Sequence, residues 1–132
     1  MSRTNVERVQ AVIDAYFRSD EPAMLELVAP DIVVTQFPEQ ADVRDYHGHA
    51  GLRQVMGEWI GSWDDWSIEI LGASERGDRV LVNARQRGRG KGSGAPIDAE
   101  VTFVFTMREG MIARWQMFQS EQQALEAAGL SP

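Results

Sequence analysis

Near the start of the chain, apolar residues return every three or four positions: Val6, Val9, Ile13, Tyr16 and Phe17. That is a helical period. Thr4 and Glu7 stand in the spacing of a capping box, so a helix is predicted over about residues 5–18. Asp20 can cap a second helix, with Pro22 tolerated in its first turn. Met24, Leu25 and Val28 form the apolar side of that helix, and Pro30 is expected to end it. DIVVTQF at 31–37 is short and β-rich and reads as a strand. Pro38 closes it, because proline cannot donate to a ladder. The polar run 39–48 reads as a loop. The clearest helix is predicted over 49–63, where Leu52, Val55, Met56, Trp59, Ile60 and Trp63 make one stripe.

The period then changes to two. Trp66, Ile68 and Ile70 alternate with polar neighbours, as Val80, Val82 and Ala84 do after a turn at Gly77 and Asp78. Ala99, Val101, Phe103, Phe105 and Met107 alternate next. Arg108, Glu109 and Gly110 turn the chain into a last strand over 112–119. Ser120 and Gln123 then cap a short helix that stops at Gly129. The order is helix, helix, strand, helix, then a meander of about four strands. That order indicates an α+β fold, and no linker or repeat divides the 132 residues, so one domain is expected over 1–132.

Composition excludes more than it identifies. The chain has no cysteine, so disulfide frameworks and thiolate chemistry are excluded. Its two histidines, His47 and His49, are too few for an ordinary zinc site, and neither metal nor cofactor is expected. No apolar run reaches the roughly 20 residues of a membrane span, and the first ten residues lack a signal-peptide core. A cytoplasmic protein without a membrane partner is the expectation. A net charge of −7 disfavours nucleic acid as a partner.

One stretch runs against that charge. RQRGRGKGSGAP at 85–96 sets Arg85, Arg87, Arg89 and Lys91 among glycines. The phosphate motifs fail in detail. Gly92, not serine or threonine, follows Lys91, and a strand follows rather than a helix N-terminus. No aromatic residue within the stretch can stack a base. The competing readings are a solvated hairpin loop and an anion cradle, and the first is preferred. If the hairpin centres near Lys91, Arg85 faces Asp98 and Asn83 faces Glu100.

The element order, with DIVVTQFP, YHGHAGLRQVM and TMREGMIARWQMF, resembles the nuclear-transport-factor-2-like superfamily, and within it the SnoaL-like proteins and ketosteroid isomerases. The resemblance implies a cystatin-like cone, in which a curved antiparallel meander wraps the long helices around an apolar pocket. It also implies a homodimer. The strand pattern agrees, since Val80, Val82, Ala84, Val101, Phe103 and Phe105 form an apolar face. Asn83, Arg85, Glu100, Thr102, Arg114 and Gln116 form a half-polar one.

In ketosteroid isomerases an aspartate base works beside an oxyanion hole made by a tyrosine and a protonated aspartic acid. By resemblance, Tyr16 stands at the tyrosine position. Gln36 stands at the base position and Phe103 near the second acid, so the family's mechanism loses both carboxyl groups here. Val28 and Met56 stand where the supporting tyrosines fall. Tyr16 and Gln36 remain as candidate catalytic or hydrogen-bonding groups. Met56, Trp59, Trp63, Phe103, Phe105, Trp115 and Met117 are candidate ligand-binding walls. For each, plain packing is the competing reading. His47, His49, Asp42 and Asp45 are further acid–base candidates at a pocket mouth, against a solvated loop as the alternative. Three readings stand open, the first two being cofactor-independent acid–base chemistry on a small apolar, polyketide- or steroid-like molecule, and binding of such a molecule without catalysis. A structural dimer with a closed core is the third.

Overall fold

The computed structural model describes residues 4–18, 20–37 and 45–130, apart from the side chain of Phe17. Helix α1 spans Asn5–Phe17, with Thr4 and Glu7 in a complete capping box. Helix α2 spans Glu21–Leu25, with Asp20 accepting from the Ala23 N–H. Strand β1 is Val28–Thr35 and β2 is Asp45–His47. Helix α3 is Gly48–Gly61. Strands β3 (Trp63–Arg76), β4 (Arg79–Gly90), β5 (Pro96–Arg108) and β6 (Met111–Phe118) follow, then α4 (Glu121–Ala128).

The six strands form one sheet in the order β2-β1-β6-β5-β4-β3. The sheet is mixed, because β1 runs parallel to β6 while every other pair is antiparallel. The expected antiparallel meander is β3 to β6, and the parallel pairing of β1 with β6 adds to it. Register shifts interrupt β1–β6, β5–β6 and, twice, β3–β4. Such bulges bend a sheet, and this one curves around α1 and α3. Its concave face carries Val80, Val82 and Ala84 opposite Phe105, Phe103 and Val101. Against them α1 lays Val9, Val12 and Ile13, and α3 lays Leu52, Val55 and Met56.

The start of β1 differs from the expectation. Val28 and Pro30 lie in the strand rather than in α2. Met24, Leu25 and Val28 fit a helical period by coincidence. Pro30 is tolerated because β2 pairs only with Val33–Thr35, so no partner on that side needs its missing donor. The run 39–48 is not wholly loop either, since Asp45–His47 pair with β1; Pro38 and residues 39–44 lie outside the described residues. Helix α3 follows β2 at once. Its Gly51 passes so near that an added Cβ would stand 2.9 Å from the Tyr46 carbonyl carbon.

Trp63 belongs to β3, not to the helix before it. Spacing of four after Trp59 imitated one more turn, but Ser62 ends α3 and its hydroxyl donates to the Glu58 carbonyl. The β4–β5 hairpin is shifted by two from the expected register: Arg85 lies opposite Glu100 and Asn83 opposite Thr102. Arg85 still reaches Asp98, diagonally, at 2.6 and 3.0 Å.

The convex face has its own small core. Leu81, Val104 and Phe118 are covered by Ala124 and Leu125 of α4, a helix capped by Ser120 and ended by Gly129 in the left-handed region. Among the described residues no helix is long and apolar enough to cross a membrane.

Candidate functional site: an aromatic cavity under the sheet

Each wall of the concave side follows from one period. Along α1, the helical spacing from Val9 through Ile13 brings Tyr16 to the sheet-facing side. Along β1, alternation from Ile32 and Val34 carries on to Gln36, just past the strand end. Along β4, alternation from Val80, Val82 and Ala84 carries on to Gln86. These meet Met56 and Trp59 of α3, Trp66 and Ile68 of β3, Phe103 of β5, and Trp115 and Met117 of β6 around a cavity of about 50 Å³. A smaller void of about 20 Å³ lies on the other side of Ile13, Tyr16, Met56 and Trp115, with Phe105 in its wall.

Of the nine residues singled out in the sequence, seven line the main cavity: Tyr16, Gln36, Met56, Trp59, Phe103, Trp115 and Met117. Phe105 does not; it stacks on Trp115 at 5.3 Å and borders the smaller void. Trp63 borders neither cavity, but packs behind Trp59 at 5.5 Å. His47 and Asp45 are exposed, Asp45 accepting from the Thr35 hydroxyl at 2.7 Å. His49 bonds the Val28 carbonyl at 2.9 Å. Asp42 lies outside the described residues.

Sequence reasoning missed Trp66 and, as a polar member of the wall, Gln86. Gln86 is 2 % exposed, among the few buried polar side chains described. Its Oε1 accepts from the indole N–H of Trp59 at 2.9 Å and of Trp66 at 3.0 Å. One amide thus ties α3, β3 and β4 together over the cavity. Tyr16 meets the edge of Trp66 at 5.9 Å, and Phe37 leans on Trp59 at 6.2 Å. The signal for Gln86 was the inward alternation of β4, hidden because its neighbours are arginine and glycine.

The electrostatics are those of a neutral site. Among the described lining residues Tyr16 is the one with an ordinary titration, and burial pushes its phenol well above the usual range. It therefore stays protonated and able to donate across physiological pH. The charged side chains of the basic hairpin, Arg85, Arg87, Arg89 and Lys91, do not line this cavity. Asp98 ion-pairs with Arg85 and, at 3.6 Å, with Arg87. The Arg85 hydrogen bond, ahead of the bare charge, holds the Asp98 carboxyl below the carboxylate range. At the hairpin tip the Lys91 N–H donates to the Ser62 carbonyl at 3.0 Å, tying the turn to the end of α3.

A bent mixed sheet closed by helices over an aromatic cavity defines the class of fold, and the family follows. Residues 9–115 match the SnoaL-like domain model, so the chain belongs to the SnoaL-like family. Solved structures are similar over almost the whole length. A nuclear-transport-factor-2-like protein from Burkholderia thailandensis shares 23 % identity at a TM-score of 0.80, covering 99 % of this chain and 100 % of that one. A putative SnoaL-like polyketide cyclase from Jannaschia shares 19 % at 0.77, covering 100 % and 99 %. TerC, co-crystallised with polyporic acid, shares 21 % at 0.75, covering 92 % and 95 %. Comparison with curated protein sequences gives no match.

Proposed function

We propose that this protein binds a small, neutral, largely apolar molecule of aromatic type in the cavity beneath the sheet, without using a general base from its walls. One observation carries the reading. The described walls are aromatic and aliphatic, and their polar groups are uncharged: the Tyr16 phenol and the amides of Gln36 and Gln86. Such a site favours apolar surface and discriminates by a few hydrogen bonds. Proton abstraction at neutral pH needs a carboxylate or imidazole within reach, and the described lining contains neither. An isomerase or cyclase acting here would draw its base from outside these walls.

Volume sets a condition on binding. A benzene-sized guest needs a cavity on the order of 150 Å³, whereas the void is about 50 Å³. Met56 stands between the two voids and Met117 lines the larger. Methionine is unbranched and readily changes rotamer, so displacing Met56 both widens the cavity and joins it to the space beside Phe105. Ligand binding is thus coupled to repacking of methionine.

The test is calorimetric titration with ethylbenzene, a one-ring apolar probe. Saturable one-to-one binding is the expected result. No detectable binding up to the probe's solubility would mean a closed core and overturn the proposal.

A further inference from the structure

Gln86 is buried, lines the cavity and has half of its hydrogen-bonding capacity committed. An indole nitrogen can only donate. Two indoles converging on one side-chain atom therefore identify that atom as the amide oxygen, and they fill both of its lone pairs. The amide nitrogen, with two N–H groups, forms no hydrogen bond among the described residues. Toward anything in the cavity Gln86 can only donate. Tyr16 adds a phenol held protonated. The indole N–H of Trp115, also in the wall, is buried without a hydrogen-bond partner. The Gln86 amide is thus a donor-only group in this wall.

We infer that Gln86 is a specificity-determining residue, and that the cavity selects aromatic molecules carrying a carbonyl-type acceptor over pure hydrocarbons. The inference rests on the ligand-binding reading above. The ring lies among Trp59, Trp66 and Phe103, and its carbonyl oxygen accepts from the Gln86 amide. Trp59 and Trp66 position the amide rather than bind the oxygen themselves. Without such a donor the outcome would reverse, because a carbonyl gives up its hydration on burial and receives nothing in return.

The experiment compares acetophenone with ethylbenzene, which are nearly equal in shape, by calorimetry on the full chain. Acetophenone is expected to bind at least as tightly as ethylbenzene despite its better hydration. In Gln86→Met the acetophenone affinity is expected to fall about tenfold relative to ethylbenzene. Preference for ethylbenzene by more than tenfold in the unaltered protein would overturn the inference while leaving the binding reading standing. An unchanged ratio in Gln86→Met would overturn it too. Binding of neither probe would remove both. Should Gln86→Met fail to fold, the ratio in the unaltered protein decides alone.

Discussion

Tyr16 reaches the cavity because four α1 positions, Val9, Val12, Ile13 and Tyr16, share one helical face. Its ring packs on Trp66, and its hydroxyl is the one titratable group in the described wall. Tyr16→Phe keeps the ring and removes the donor. Stability is expected to change by less than about 1 kcal/mol, and acetophenone affinity to fall a few-fold while ethylbenzene affinity holds. Denaturant melts and paired titrations check this, and unchanged acetophenone affinity would take Tyr16 out of the site. The same residue shows what a sequence can reveal. Met56, Trp59, Phe103, Trp115 and Met117 were legible as apolar residues of periodic elements, whereas Tyr16 and Gln36 were picked out by the family resemblance; all seven line the cavity. Gln86 was not legible, since RQRGRG reads as a solvated loop until β4 is known to run to Gly90. Trp63 misled for the opposite reason: helical spacing continued one turn past the point where Ser62 ended the helix.

At the scale of elements, what could not be read was non-local. The three-residue β2 and the parallel pairing of β1 with β6 leave no local pattern. Both are fixed by distant partners. Their geometry makes demands on α3, which leaves β2 through Gly48 at φ +71° and crosses it at Gly51. Gly51→Ala sets two effects against each other. Alanine is the better helix former by about 1 kcal/mol. Its Cβ, however, would press on the Tyr46 backbone at 2.9 Å, which cannot swing aside as a side-chain tip can. Overpacking of that kind costs roughly 1–3 kcal/mol, so the clash wins and Gly51→Ala is expected to lower the melting temperature. A rise would show that α3 and β2 are less tightly joined than this. The basic hairpin belongs at this scale as well. Its exposed ion pairs with Asp98 contribute little, and its tip serves the end of α3 through Lys91.

For the whole molecule, the sheet's bulges, the two helices and the aromatic wall act together to bury a neutral cavity in a chain of net charge −7. The charges are kept elsewhere, on the hairpin and the outer faces. Ligand affinity is therefore expected to be flat from about pH 5 to about pH 9, because no described wall group changes charge there. The sign for stability follows from the raised Tyr16 value. Its contribution is fully present below about pH 10, the ordinary phenol value, and is lost as pH rises through the higher folded-state value. A sigmoid in affinity between pH 5 and 8 would instead reveal a carboxylate or imidazole acting on the ligand.

The most direct measurement uses the four tryptophans. In the ¹⁵N-labelled protein each indole N–H gives its own signal, and Trp59, Trp66 and Trp115 line the cavity while Trp63 does not. Titration with acetophenone is expected to shift those three signals saturably, move Trp63 less, and leave the amides of Lys91–Gly94 in place. Indole signals that stay fixed at saturating probe, or shifts confined to the hairpin, would contradict a ligand site beneath the sheet.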